Sequence, residues 1–157
     1  MNELTELMNF TYNLCEDGDY ESAIQYFDVV LSKDPKNTVI LNDKGVTLHN
    51  LGKNKEAIQC YDQVLKIEQN NADALVNKGM ALHELGKYNK AIHCYDQVLI
   101  SNKNSPITLT CKGISLGELG HIKEAIWHFD KALEIDKEYD LANNSRKVAL
   151  RLLGTMK

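Results

Sequence analysis

Between residues 38 and 71, apolar side chains recur at Ile40, Leu41, Leu48 and Leu51, then at Ala57, Ile58, Tyr61, Val64 and Leu65. Steps of three and four put one apolar stripe on each of two α-helices. Gly52 falls between the stripes, where glycine enters the left-handed region without a Cβ penalty. The pattern therefore predicts helix, tight turn, helix. The stretch from Lys44 to Leu65 then returns 34 residues later, from Lys78 to Leu99, with 15 of 22 positions identical. A third copy runs from Lys112 to Leu133, and a diverged one lies around Gly18–Ile24. Gly18, Gly52, Gly86, Gly120 and Gly154 keep one beat. A fixed period of this length predicts stacked helical repeats in one all-α domain. The repeats run over about 4–37, 38–71, 72–105 and 106–139, with a further helix over 140–157.

The links carry start signals of their own. Asn37, Asn71 and Ser105 share one repeat position and suit the capping of the helix that follows. Pro106 stands where a helix tolerates a missing N–H, and no proline interrupts a predicted helix. Gly45, Gly79 and Gly113 recur inside the first helices, although each costs about 1 kcal/mol relative to alanine. Such a recurrence predicts a close helix crossing. The columns Ala23, Ala57, Ala91, Ala125 and Phe27, Tyr61, Tyr95, Phe129 then read as core.

On these residues the chain resembles the tetratricopeptide repeat family from about Leu4 to Tyr139. The period, the glycine pair, the alanine, the aromatic and the link Asp34-Pro35 all agree with it. Departures are Thr11 at the mid-helix glycine, Asp17 where other repeats have leucine, and Leu7, Leu41, Leu75 and Leu109 at a first-helix anchor that is often aromatic. The resemblance implies a right-handed superhelical α-solenoid of antiparallel helix pairs, with the first helices lining a concave surface. The tail from Asp140 reads as a fifth first helix, expected to cap the array. The alternative is that it opens a further repeat.

Composition narrows the function. The net charge of -4 provides no basic face for nucleic acid. No apolar run reaches the roughly 18 residues of a membrane span, and the N-terminus lacks the basic start of a secretory signal. A cytoplasmic protein is expected. Four cysteines, two of them at one repeat position, read as packed thiols rather than disulfides. There is no phosphate-binding glycine loop, no paired-cysteine metal spacing and no nucleophile with an arranged base. No enzyme and no cofactor are expected. Cys15, His49 and His83 share one position and carry zinc-ligand chemistry. Rungs about 10 Å apart would leave such ligands stretched, and Gly117 ends the ladder, so groove lining rather than metal is expected.

The resemblance also implies where a ligand would lie. One column carried over from the family is Tyr12, Val46, Met80, Ile114 and Val148, wholly apolar. Beside it run Met8, Asn42, Val76, Thr110 and Asn144, then the Cys15, His49, His83 ladder, then a rim of Glu16, Asn50, Glu84 and Glu118. Asn9 and Asn77 fall where the family often touches ligand backbone. The apolar column also suits packing between adjacent first helices. Family members that hold acidic chaperone tails use lysines, arginines and asparagines here, whereas this chain has Met8, Tyr12, Asp43 and Asp73. An acidic tail should bind poorly, and a segment with apolar anchors and some basic residues should suit. Trp127, whose counterparts are Gln25, Gln59 and His93, is expected to face solvent, where it either anchors a second, convex-face contact or lies against neighbouring side chains. The function expected is a non-catalytic protein-interaction scaffold, with self-assembly through the groove and the C-terminal helix as the alternative.

Overall fold

The computed structural model describes residues 3–155, which form nine α-helices and no strand. They are α1 (Glu3–Glu16), α2 (Tyr20–Lys33), α3 (Thr38–Asn50), α4 (Asn54–Ile67), α5 (Ala72–Glu84), α6 (Tyr88–Ser101), α7 (Pro106–Glu118), α8 (Ile122–Ile135) and α9 (Asp140–Thr155). The fold is an all-α solenoid of helix pairs. No described helix is long and apolar enough to cross a membrane. Two compact halves divide the chain, Met1–Ala81 and Leu82–Lys157, with the boundary inside α5.

Each turn is built the same way. Gly52 takes φ 72°, and Gly18, Gly86 and Gly120 are likewise left-handed. The Gly52 N–H donates to the His49 carbonyl at 2.8 Å and the Lys53 N–H to the Leu48 carbonyl at 2.9 Å. These two bonds occupy carbonyls that the end of α3 would otherwise leave open. Gly154 keeps the beat in sequence but not in structure, because it lies within α9. At the other helix ends, the Asn37 carboxamide oxygen accepts from the Ile40 N–H at 3.1 Å, Asn71 from Ala74 at 2.9 Å and Ser105 from Thr108 at 3.3 Å.

In the N-terminal half, α1 packs on α2, α2 on α3 and α3 on α4. Leu41, Leu48, Ala57, Tyr61, Val64 and Ala81 form one core cluster, and Ala23, Phe27, Val30 and Ile40 form another. Glycine sets the approach of α3 to α4. A Cβ added at Gly45 would lie 2.5 Å from Cε1 of Tyr61, a ring that is itself fully buried. In the C-terminal half Gly113 meets Phe129 in the same way, also at 2.5 Å. There α8 packs on both α7 and α9, and α9 also touches α7 through a face carrying the buried Ala142 and Ala149.

One recurrent feature ties each second helix to the next first helix. Asp28 pairs with Lys44 at 2.5 Å, Asp62 with Lys78 at 2.6 Å and Asp96 with Lys112 at 2.6 Å. Asp130 pairs with Arg146 in the same register. The carboxylates are half exposed, so each pair contributes at most about 1 kcal/mol. Their effect is to fix register and to occupy the lysines.

Candidate functional site

Nine of the twelve expected contact residues lie in the N-terminal half. Met8, Asn9 and Tyr12 are on α1, Asn42, Val46 and His49 on α3, and Val76, Asn77 and Met80 on α5. Helical spacing puts each trio on one side of its helix. Two polar contacts join the trios. The Tyr12 hydroxyl donates to Asp43 Oδ2 at 2.7 Å, linking α1 to α3. The Asn77 carboxamide donates to Asn42 Oδ1 at 3.2 Å, linking α5 to α3.

Exposure separates packing from access. Met8 and Tyr12 pack against the cluster around Phe27, with the Tyr12 ring edge-on to Phe27 at 6.1 Å between centroids. Both remain half-buried, as do Asn42, Val46, Val76 and Asn77, while Asn9 is exposed. Met80 is 38% exposed. The apolar column therefore packs and also presents surface.

Asp43 is the residue that the groove columns left out. Burial raises its pKa, against the opposing pull of the Tyr12 hydrogen bond. The phenol is pushed up as well, by burial first and then by the Asp43 carboxylate. The pair forms a half-buried anionic point beside Val46. Lys44 and Lys78, the nearest lysines in sequence on α3 and α5, are held by Asp28 and Asp62. A repeat-by-repeat comparison signals Asp43, since Asp is one of the residues that departs from the family there.

The ladder residues do not converge on one ion. Cys15 Sγ meets Thr47 Oγ1 at 3.6 Å, His49 Nδ1 meets Asn54 Oδ1 at 2.7 Å and His83 Nδ1 meets Ser115 Oγ at 2.9 Å. His83 also lies against Tyr88, 5.1 Å between ring centroids. Among the described residues no group of three His, Cys, Asp or Glu side chains is placed to hold a metal ion.

In the C-terminal half one of the expected contact residues is not accessible. Ile114 is half-buried and packs against the Leu116, Phe129 and Ala149 cluster, but Thr110 is fully buried. Thr110 cannot line an accessible surface. It shares the repeat position of Asn42, whose carboxamide oxygen accepts from Asn77 on the next first helix. The small α9 residues allow that helix to pack against α7. Trp127 is 55% exposed, edge-on to His128, with Lys131 Nζ 5.8 Å from its ring centroid. It borders a cavity of about 400 Å³ with Leu99, Leu109 and Ile135. A second cavity, of about 320 Å³, opens between α7, α8 and α9 beside Gly117.

Helix pairs of this period, turned at a left-handed glycine and locked by a small residue against an aromatic ring, define a tetratricopeptide repeat protein. The family described as "Psidin, N-terminal TPR repeats region" matches residues 8–115, and the chain belongs to it. Among solved structures, a crystal structure of MamA is similar at TM-score 0.83 and 22% identity, covering 96% of this chain and 82% of that one. A tetratricopeptide repeat protein from Parabacteroides merdae also reaches 0.83, at 27% identity, over 97% of this chain and 60% of that one. The first TPR of Spaghetti (RPAP3), bound to the HSP90 peptide SRMEEVD, is similar at 0.72 and 22% identity, over 77% of this chain and 96% of that one. No curated protein matches the chain.

Proposed function

We propose that the chain is a non-catalytic interaction module whose N-terminal half holds a peptide segment of a partner protein against α1, α3 and α5. The observation that carries this reading is the accessible apolar column Tyr12, Val46 and Met80, set beside the Tyr12–Asp43 pair. Membership of a repeat family with a peptide-bound structural neighbour supports the class of function. The chemistry of the ligand differs from the acidic peptide held by that neighbour. Asp43 and Asp73 add negative charge, and Lys44 and Lys78 are already paired. Apolar anchors with a lysine or arginine suit this face, through burial and through attraction to Asp43. Asn9, Asn42, Val76 and Asn77 flank the column and supply polar and apolar contacts. The thiols of Cys15, Cys60 and Cys111 fit a reducing, cytoplasmic setting.

The reading is tested with a Val46→Glu, Met80→Glu double variant. Both side chains are partly exposed, so helicity by circular dichroism should be retained. Two carboxylates on the apolar column should lower capture of partner protein from a native lysate at least tenfold. Equal capture by parent and variant would contradict the groove assignment.

A further inference from the structure

The fourth repeat breaks the ladder in a way that leaves space. Cys15, His49 and His83 each spend their side chain on a neighbour, but the same repeat position on α7 is Gly117. Its backbone is helical, and a Cβ built on it would meet nothing within 4 Å. A glycine inside a helix lowers stability unless something is gained. At Gly45 and Gly113 the gain is a ring packed against the backbone. At Gly117 no neighbouring side chain fills the space. What the glycine leaves is the 320 Å³ cavity between α7, α8 and α9, walled by Ile114, Phe129, Val148 and Leu152.

The charge at this cavity has one sign. Glu118 is the one charged residue among those lining it, is exposed, and forms no ion pair among the described residues. On α9 the lining residues Ser145, Val148, Ala149 and Leu152 share one face; Lys147 lies opposite it, and Arg151, one turn from Val148, borders that face without lining the cavity. Arg146 is held by Asp130. The cavity sits at the lower end of the sizes that hold ligands, room for a side chain rather than a cofactor.

We propose that the Gly117 cavity is a socket for one large apolar side chain of a partner segment, with an adjacent lysine or arginine set on Glu118. The socket rests on the reading of the chain as a peptide-binding module, but it lies in the other half from the Val46 and Met80 column. Complementary charge at Glu118 selects a basic-flanked anchor over an acidic one.

The probe is a phage-displayed library of random 12-residue peptides, selected on the parent protein and then synthesised for fluorescence anisotropy. Selected peptides should share an apolar residue within one turn or two positions of Lys or Arg. Gly117→Leu should weaken their binding tenfold or more while keeping or raising the thermal midpoint, since it fills open space and improves the helix. Glu118→Lys should weaken basic-flanked peptides and strengthen a version with Glu in place of the basic residue. Unchanged binding in Gly117→Leu, or an empty selection, overturns the socket. If Val46→Glu, Met80→Glu abolishes binding while Gly117→Leu does not, the groove reading stands and the socket falls. The reverse result upholds the socket and removes the N-terminal column. A parent dimer in sedimentation that dissociates in Gly117→Leu would identify the occupant as a second copy, against a partner segment.

Discussion

Tyr61→Ala should lose about 3–5 kcal/mol of unfolding free energy, the range for deleting a buried aromatic side chain. Tyr61 is 1% exposed and lies between α3 and α4, with Gly45 directly beneath its ring. Gly45→Ala alone should also be destabilising. Its new Cβ would sit 2.5 Å from Cε1 of Tyr61, and the ring is almost fully buried. Overpacking of this kind costs about 1–3 kcal/mol, offset in part by about 1 kcal/mol of helix propensity. In the Tyr61→Ala background the sign should reverse, because the methyl enters vacated space and the propensity gain remains. Urea unfolding of the parent, the two single variants and the double variant measures all four corners. If Gly45→Ala is equally harmful with and without the ring, the contact does not set the crossing.

A pH-dependent loss of stability should arise from His128. The residue is 8% exposed and its Nδ1 has no hydrogen-bond partner among the described residues. Burial lowers its pKa from 6.5 to about 4; Lys112 adds to the shift, and Asp96 and Glu124 oppose it. Above pH 7 the imidazole is neutral whether the chain is folded or not. As pH falls through about 6.5 the unfolded chain takes up the proton and the folded one does not, so stability drops until about pH 4. The loss should reach about 3 kcal/mol. His128→Cys installs the residue that Cys60 and Cys94 represent at the same repeat position. The parent's stability relative to this variant should fall between pH 7 and pH 4. A constant difference over that range would mean that His128 takes up its proton as readily in the folded chain as in the unfolded one.

Most of the fold was legible because its determinants are local and recur. Gly52 announces a turn that only a left-handed residue closes well, and Asn37 announces a cap within reach of its own helix. Gly45 and Tyr61 were readable as a pair because Gly113 and Phe129 repeat it. What escaped depended on contacts between helices distant in sequence. The Asp28–Lys44 pair and its successors span 16 positions, although a matched acid and base kept at one repeat spacing was a usable signal. Thr110 was misplaced for a related reason. A helical wheel assigns it an angle, but its burial depends on how closely the neighbouring helices approach. The cavity at Gly117 had a visible sign, a missing ladder residue. Whether α8 and α9 would close over that gap could not be read from periodicity.

In the proposed binding mode partners lie on the first-helix side of the repeats, where side chains vary between copies. A photoreactive benzoylphenylalanine placed at Met80, and separately at the exposed Gln63 on α4, tests it most directly. Irradiation in the presence of captured partner should give a covalent adduct from position 80 and little or none from position 63. An adduct from position 63 with none from position 80 would put the partner on the other side of the helix pairs and contradict the account.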